Sequence, residues 1–292
     1  MIALPRQRPK PIPAVHPLPE YLATGQRATW YAEMKHALQV PWMGVVTMAF
    51  AHYPTFFGEL WRGLKPLSES AAFVDTCRVL RTEVEQRAAG LAPQKLSATL
   101  VRHGYAPREL DALRDVNTVF SHGNPPYLLI ATLARHLLEL GDLAGKASAE
   151  PFKGRHAPDV SVPPVLMEAH HADAPTQAIY ADIKATLNLP FVNTDYRAFA
   201  RWPSYFALAW NDLRDIVGTP AHEAICQACH DQAAERVAAL PNPGGLSATA
   251  LRQAAETDAP IDEVMEVCRL FQWLLPGLMT NVAYFRHQLE SR

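Results

Sequence analysis

Two polar residues, Asp195 and Asn124, stand where a related stretch of the same chain carries apolar residues. Asp195 is opposite Val46, and Asn124 is opposite Leu275. A carboxylate beside apolar surface has a raised pKa and can act as a base. The same residue types are also typical of helix N-caps, because their side chains accept hydrogen bonds from the first helical turn. From spacing alone, the helix cap is the stronger of the two interpretations.

A second candidate site is Cys226-Gln-Ala-Cys229-His230, which matches the attachment pattern of c-type haem. The motif falls within a predicted amphipathic helix and has no equivalent in the other half, so we predict buried small residues instead. His222 extends the cluster to a zinc set, but the adjacent Cys229 and His230 fit one tetrahedral site poorly. We therefore predict no metal and no cofactor.

Three other polar residues have two interpretations each. Thr55 and Glu59 are one helical turn apart and form either polar pocket residues or a surface pair. Arg135 recurs as Arg286 in the other half, which favours a structural role, although Arg135 is also placed to steer an anion.

All these residues belong to a unit that is written twice. Tyr31–Trp61 aligns without a gap on Tyr180–Trp210, with 11 of 31 positions identical, and the match resumes at Leu96–Thr99 and Leu246–Thr249. Each copy runs for roughly 120 residues, which is too long for a solenoid repeat and close to the size of a small domain.

Both copies have helical patterns, and strand signals are nearly absent. Pro54 and Pro203 are equivalent, and each predicts that a short helix ends before it and a longer one begins at it. A turn is predicted at Ser121–Pro125. Apolar residues recur at three- and four-residue spacing in Phe73–Ala88, Leu110–Phe120, Tyr127–Leu140, Ile225–Leu240 and Val264–Leu274.

These patterns predict an all-α fold of two tandem helical repeats packed as a pseudo-dimer, with the active site between them. An extended N-terminal arm covers residues 1–24, the first repeat 25–140, a proline-rich linker 141–175 and the second repeat 176–292. If a local twofold axis relates the repeats, Asp195 and Asn124 meet in an apolar cleft.

Composition excludes several classes of function. The 292-residue chain has a net charge of −2, which is not the charge of a nucleic-acid-binding protein. No apolar run reaches the roughly 18 residues of a membrane span. The N-terminus lacks the apolar stretch of a secretory signal, and the four cysteines are too few for a disulfide framework. We therefore predict a cytoplasmic location.

Three motifs resemble the signature positions of the group I 2-haloacid dehalogenases, the DehI type. They are Pro41-Trp42, Gly123-Asn124-Pro125-x-Tyr127-Leu128-Leu129 and Thr194-Asp195. The resemblance covers residues 25–140 and 175–290 and includes the duplication. The Asp-x-Asp-Gly-Thr motif of the unrelated α/β haloacid dehalogenases does not occur.

The resemblance implies hydrolysis of D- and L-2-haloalkanoic acids to 2-hydroxy acids with inversion and without a cofactor. Asp195 is then the base that activates water, and Asn124 orients that water. Trp42 and Val45 line the pocket, where Val45 is smaller than the aromatic residue that this position can carry. Thr194 lies beside the substrate, a small molecule. A homodimer is a possible assembly.

Three alternatives stay open at this point. The first alternative is that Asp195 attacks the carbon directly, as aspartates do in other dehalogenases. The second alternative is that the chain is a related hydrolase that acts on another small organic acid. The third alternative is a non-catalytic helical scaffold, which would carry a large exposed apolar patch.

Overall fold

The computed structural model describes residues 4–160 and 164–290, and within these ranges the chain is all-α, as predicted. Two short 3-10 turns lie at Glu20–Leu22 and Ala89–Leu91. The helices are α1 (Gly25–Leu38), α2 (Val45–Phe50), α3 (Pro54–Ser68), α4 (Ala71–Ala88), α5 (Ser97–Arg102), α6 (Pro107–Glu139), α7 (Ala174–Leu187), α8 (Thr194–Phe199), α9 (Pro203–Arg214), α10 (Pro220–Ala239), α11 (Ala248–Asp258) and α12 (Ile261–Gln288).

The helix boundaries marked by proline are confirmed. α3 begins at Pro54 and α9 begins at Pro203, each after a short helix. The preceding residues lie outside the helical region, with φ −103° and ψ 84° at Tyr53 and φ −116° and ψ 78° at Trp202. The proline ring disfavours the helical conformation of the residue before it, which separates the two helices.

Helices of the two halves begin at a constant offset. The first residues of α1 and α7 are 25 and 174, those of α2 and α8 are 45 and 194, and those of α4 and α10 are 71 and 220. Side-chain contacts recur at the same offset: the Tyr31 hydroxyl donates to Leu18 O, and the Tyr180 hydroxyl donates to Met167 O. These pairs support the duplicated unit, while the twofold packing of the halves stays a prediction.

The longest helices, α6 and α12, pack along each other, and α4 and α10 each contact both of them. All residues of α6 from Phe120 to Leu138 are buried except His122. A buried hydrogen bond of 2.7 Å joins Arg135 Nη1 of α6 to Gln272 Oε1 of α12. The halves therefore share one core, and α6 and α12 form its centre.

The predicted turn at Ser121–Pro125 is wrong, because α6 runs unbroken through Pro125 and Pro126. Each proline removes one helical hydrogen bond and costs about 3 kcal/mol in an isolated helix. Burial of this stretch against α12 offsets that cost, because tertiary packing outweighs the low helix propensity of proline. Asn124 consequently lies on a helix face and does not cap a helix.

The N-terminal arm has no regular structure from Leu4 to Ala14 but is fixed to the core. Leu4 is buried, and Arg135 Nη1 donates to Pro5 O at 3.0 Å. No helix lies between α6 and α7 in the described residues, and α7 begins at Ala174, two residues before the predicted second repeat. The domain limits stay predictions. None of the described helices is both long enough and apolar enough to cross a membrane.

Candidate active site

Asp195 and Asn124 meet in the core. Asn124 projects from α6 of the first half, and Asp195 lies in the first turn of α8 in the second half. Asn124 Nδ2 donates to Asp195 Oδ1 at 2.8 Å, and the two residues are 4% and 3% exposed. A carboxylate from one half and an amide from the other therefore form one buried pair.

Neither residue serves as a helix cap. Asn193 occupies the N-cap position of α8, but its side chain accepts no hydrogen bond from the helix. Asp195 is already inside α8, and its carboxylate is bound by Asn124. This geometry therefore does not support the helix-cap interpretation, which the spacing alone favoured.

Burial raises the pKa of Asp195 from 3.8 to about 6, because the carboxylate loses its hydration there. The hydrogen bond from Asn124 and the charge of Arg197 act in the opposite direction and prevent a larger rise. A carboxyl group with this pKa is mostly ionised at neutral pH and is more basic than an exposed one. That combination suits a general base.

Trp42, predicted to line the pocket, is held in place by a hydrogen bond and by ring packing. Its carbonyl accepts a hydrogen bond of 2.7 Å from the Tyr127 hydroxyl, and its ring packs edge-on against Phe120 with centroids 4.9 Å apart. Two glycines make this packing possible. A Cβ atom added at Gly44 would lie 2.7 Å from the Tyr127 ring, and one at Gly123 would lie 2.1 Å from the Trp42 ring.

A cavity of about 30 Å³ adjoins the pair, and we call it the Asp195 cavity. It is large enough for a water molecule. The Thr194 hydroxyl, which is buried, has no hydrogen-bond partner in the described structure. Five of the seven predicted site residues line this cavity: Trp42, Val45, Asn124, Thr194 and Asp195.

The other two predicted residues, Thr55 and Glu59, do not line the Asp195 cavity. Thr55 is exposed, and Glu59 forms an ion pair with Arg62 on the surface of α3. The reason is the helical period of α3, which turns the large apolar side chains such as Phe56 and Leu60 inward and their neighbours outward. Of their two interpretations, the structure agrees with the surface location.

Asn193 and Leu278 line the cavity and were not predicted as site residues. The Asn193 Oδ1 atom is buried without a hydrogen-bond partner among the described residues. The sequence carries a signal for Asn193, since it stands opposite Gly44 in the aligned copies. It carries none for Leu278, which resembles every other apolar residue of α12.

One group of described residues has the composition and spacing of a metal site: His222, Glu223 and Cys226, with ligand atoms within 4.8 Å of one another. Arg6 Nη1 lies 2.7 Å from Glu223 Oε2, so a cation already occupies that carboxylate. Cys229 and His230 are not part of this group, and both are packed in the core.

Comparisons with known proteins agree on one class of enzyme, although no family model matches the chain. It is 48% identical over 249 residues to the (R)-2-haloacid dehalogenase of Rhizobium sp. (strain NHG3), covering 84% of this chain and 96% of that protein. It is 36% identical over 290 residues to the (R)-2-haloacid dehalogenase of Pseudomonas putida, covering 97% and 96%.

A solved structure leads to the same family. A D-2-haloacid dehalogenase mutant in complex with D-2-CPA has a TM-score of 0.89 and 33% identity, covering 97% of this chain and 99% of that one. The sequence relatives and the solved structure agree with one another. The chain belongs to the 2-haloacid dehalogenase family, whose members are hydrolases acting on the carbon–halide bond of 2-haloacids.

Proposed function

We propose that the chain hydrolyses (R)-2-haloalkanoic acids to (S)-2-hydroxy acids, and that Asp195 activates the attacking water. The observation that carries this proposal is the buried hydrogen bond between Asn124 and Asp195. It gives a carboxylate of raised basicity a fixed orientation inside an apolar cavity. Water is a poor nucleophile until a base within hydrogen-bond reach removes its proton.

The orientation of Asn124 defines where the water binds. Its Nδ2 atom donates to Asp195 Oδ1, so its Oδ1 atom remains as an acceptor on the same side chain. A water molecule that donates one hydrogen to Asp195 and the other to Asn124 Oδ1 has both hydrogens engaged. The oxygen lone pair of this water then points away from Asp195 and Asn124 and toward the substrate. Holding the water in this orientation removes much of the entropic barrier to its attack.

The reaction is one in-line displacement at C2. The water oxygen forms the new bond to C2 as the carbon–halogen bond breaks, so the configuration inverts. The halogen leaves as halide, and the water proton passes to Asp195 and from there to solvent. Because the pKa of Asp195 is about 6, the carboxyl releases that proton at neutral pH and is ready for the next turnover.

Thr194 and the apolar wall position the substrate in this proposal. The Thr194 hydroxyl is buried without a partner and can donate to the substrate carboxylate. Trp42 and Leu275, both buried, enclose the reacting carbon and exclude other water molecules.

The enantiomer of the substrate gives the first prediction. The resemblance implies turnover of both forms, whereas the relatives of 48% and 36% identity are named for the (R) form alone. We expect halide release from (R)-2-bromopropionate. The matched control is (S)-2-bromopropionate, from which halide should be released far more slowly. A single turnover in water labelled with oxygen-18 should label the lactate hydroxyl. Unlabelled lactate would instead indicate direct attack by Asp195, and no halide release would contradict the proposed function.

The pH dependence of kcat gives the second prediction. Asp195 must be ionised to accept a proton, and its pKa is raised to about 6. We therefore expect kcat to rise with pH, with a midpoint near pH 6, and to be level above that. The measurement is halide release at saturating substrate at a series of pH values on both sides of this midpoint. A midpoint near 4, the value of an exposed carboxyl, would contradict a buried base.

Two further expectations stay predictions. They are the cytoplasmic location and the homodimer.

A further inference from the structure

A second cavity, of about 230 Å³, lies beside the Asp195 cavity, and we call it the vestibule. Asn193, Leu274 and Leu278 line both cavities, so their side chains form the wall between the two. The N-terminal arm contributes Arg6 and Arg8 to the vestibule. The larger cavity therefore adjoins the reaction site on one side and the arm on the other.

The charges of the two cavities differ. Within the described structure, no Lys or Arg lines the Asp195 cavity. In the vestibule, Arg6 is paired with Glu223 at 2.7 Å, whereas Arg8 has no ion pair among the described residues. Arg8 Nη2 donates to Asn188 O at 2.9 Å, and its Nε atom is buried without a partner. The vestibule thus holds one positive charge that no carboxylate neutralises.

We propose that the vestibule is the passage through which the 2-haloalkanoate anion reaches Asp195, with Arg8 as the residue that attracts it. This inference rests on the proposed function. The substrate, the hydroxy acid and the halide are all anions, so an unneutralised cation at the passage favours their binding over that of neutral solutes. The Asp195 cavity has room for a water molecule alone, whereas the vestibule has the volume of a small organic acid. For the substrate to reach Thr194 and Trp42, the wall between the two cavities must therefore open.

In this proposal the wall between the cavities opens by side-chain rotation. Leu274 and Leu278 lie one turn apart on α12, and their side chains separate the vestibule from Asp195. Rotation of these two side chains between staggered rotamers is the movement that we propose to join the two cavities. The helix that carries them remains in place.

Gly277 offers a way to close the passage. It lies on α12 and lines the vestibule. An added Cβ atom there would meet its nearest neighbour, Cys226 Sγ, at 3.9 Å, which is ordinary contact. A leucine side chain at this position extends into the vestibule, so we expect Gly277→Leu to lower kcat/KM about tenfold or more by blocking access. Gly90→Leu is the matched control and should stay near the unmodified value, since Gly90 is exposed, lines neither cavity, and an added Cβ atom there meets nothing within 4 Å.

The charge is tested separately by Arg8→Gln. This change keeps a long polar side chain and removes the positive charge. At low ionic strength we expect kcat/KM to fall about tenfold, because a cation beside the passage raises the local concentration of an anionic substrate. The dependence of kcat/KM on salt should become weaker, while kcat changes little. Arg62→Gln is the control, since Arg62 lies on the surface of α3 outside both cavities.

Each outcome of these assays decides the inference. Thermal unfolding of every variant checks that it is folded. If a folded Gly277→Leu keeps the unmodified kcat/KM, the passage lies elsewhere, for example past the partly exposed Val45. If a folded Arg8→Gln keeps it, Arg8 does not attract the substrate. Either result overturns the inference. If the unmodified chain releases no halide from either enantiomer, the proposed function fails as well. Halide release by the unmodified chain separates the two failures.

Discussion

In the Asp195→Asn variant we expect kcat for halide release to fall by about 10³-fold, because the variant lacks the carboxylate that we propose as the base. The change keeps the size of the side chain and its place beside Asn124. An amide in this cavity can still hold a water molecule but cannot accept its proton. The measurement is halide release from (R)-2-bromopropionate at saturating substrate near pH 8, where the carboxyl of the unmodified chain is ionised.

Thermal unfolding distinguishes this loss of activity from a loss of folding. The pKa of Asp195 is higher in the folded chain, about 6, than the value of 3.8 for an exposed carboxyl. The folded state therefore loses stability as pH rises from 3.8 to about 6, by about 3 kcal/mol for a shift of this size. Asp195→Asn lacks this loss, so above pH 6 it should unfold at a temperature equal to or higher than that of the unmodified chain.

Two results would contradict the role of Asp195. One is a variant that keeps its halide release while the folded structure is intact. The other is a variant that is inactive and unfolds at a much lower temperature than the unmodified chain at pH 8. The second result would show that the carboxylate stabilises the fold, which is the opposite of what its burial and raised pKa predict.

The pairing of Asp195 with Asn124 could be predicted because the chain contains its own comparison. The aligned copies show Val46 and Leu275 where the pair has polar residues, so each exception stands out against an apolar position. The same comparison marks Asn193 opposite Gly44, although a single difference between a polar residue and glycine has too many structural causes to indicate a site.

Other features had no local signal. Consecutive prolines at Pro125 and Pro126 normally end a helix, and their tolerance in α6 depends on burial against α12, a helix more than 130 residues away in the chain. The vestibule joins Arg8 of the arm to Asn188 and Trp273, which approach one another only in the folded chain. Periodicity describes how one helix faces the core, but it does not state which distant segment covers that helix.

The Asn124→Leu variant tests the amide, because leucine is the residue at the equivalent position of the other copy, Leu275. We expect kcat to fall by about 10²-fold, since the water loses one of its two acceptors and its alignment with C2. The hydrogen bond from Asn124 also lowers the pKa of Asp195. Its removal should therefore raise that pKa, so the midpoint of the kcat profile moves above pH 6. Halide release as a function of pH measures both effects in one series.

Asn117→Leu is the matched control for this variant. Asn117 is also buried on α6, two turns before Asn124, and its Nδ2 atom donates to Val282 O at 2.9 Å. Its loss should lower the unfolding temperature and leave the pH midpoint unchanged, because Asn117 does not line the Asp195 cavity. A midpoint that stays near pH 6 in Asn124→Leu would contradict the control of the Asp195 pKa by this amide. An unchanged kcat would contradict its role in holding the water. If instead the midpoint moves in Asn124→Leu and stays in Asn117→Leu, the effect belongs to the hydrogen bond and not to the burial of any amide in α6.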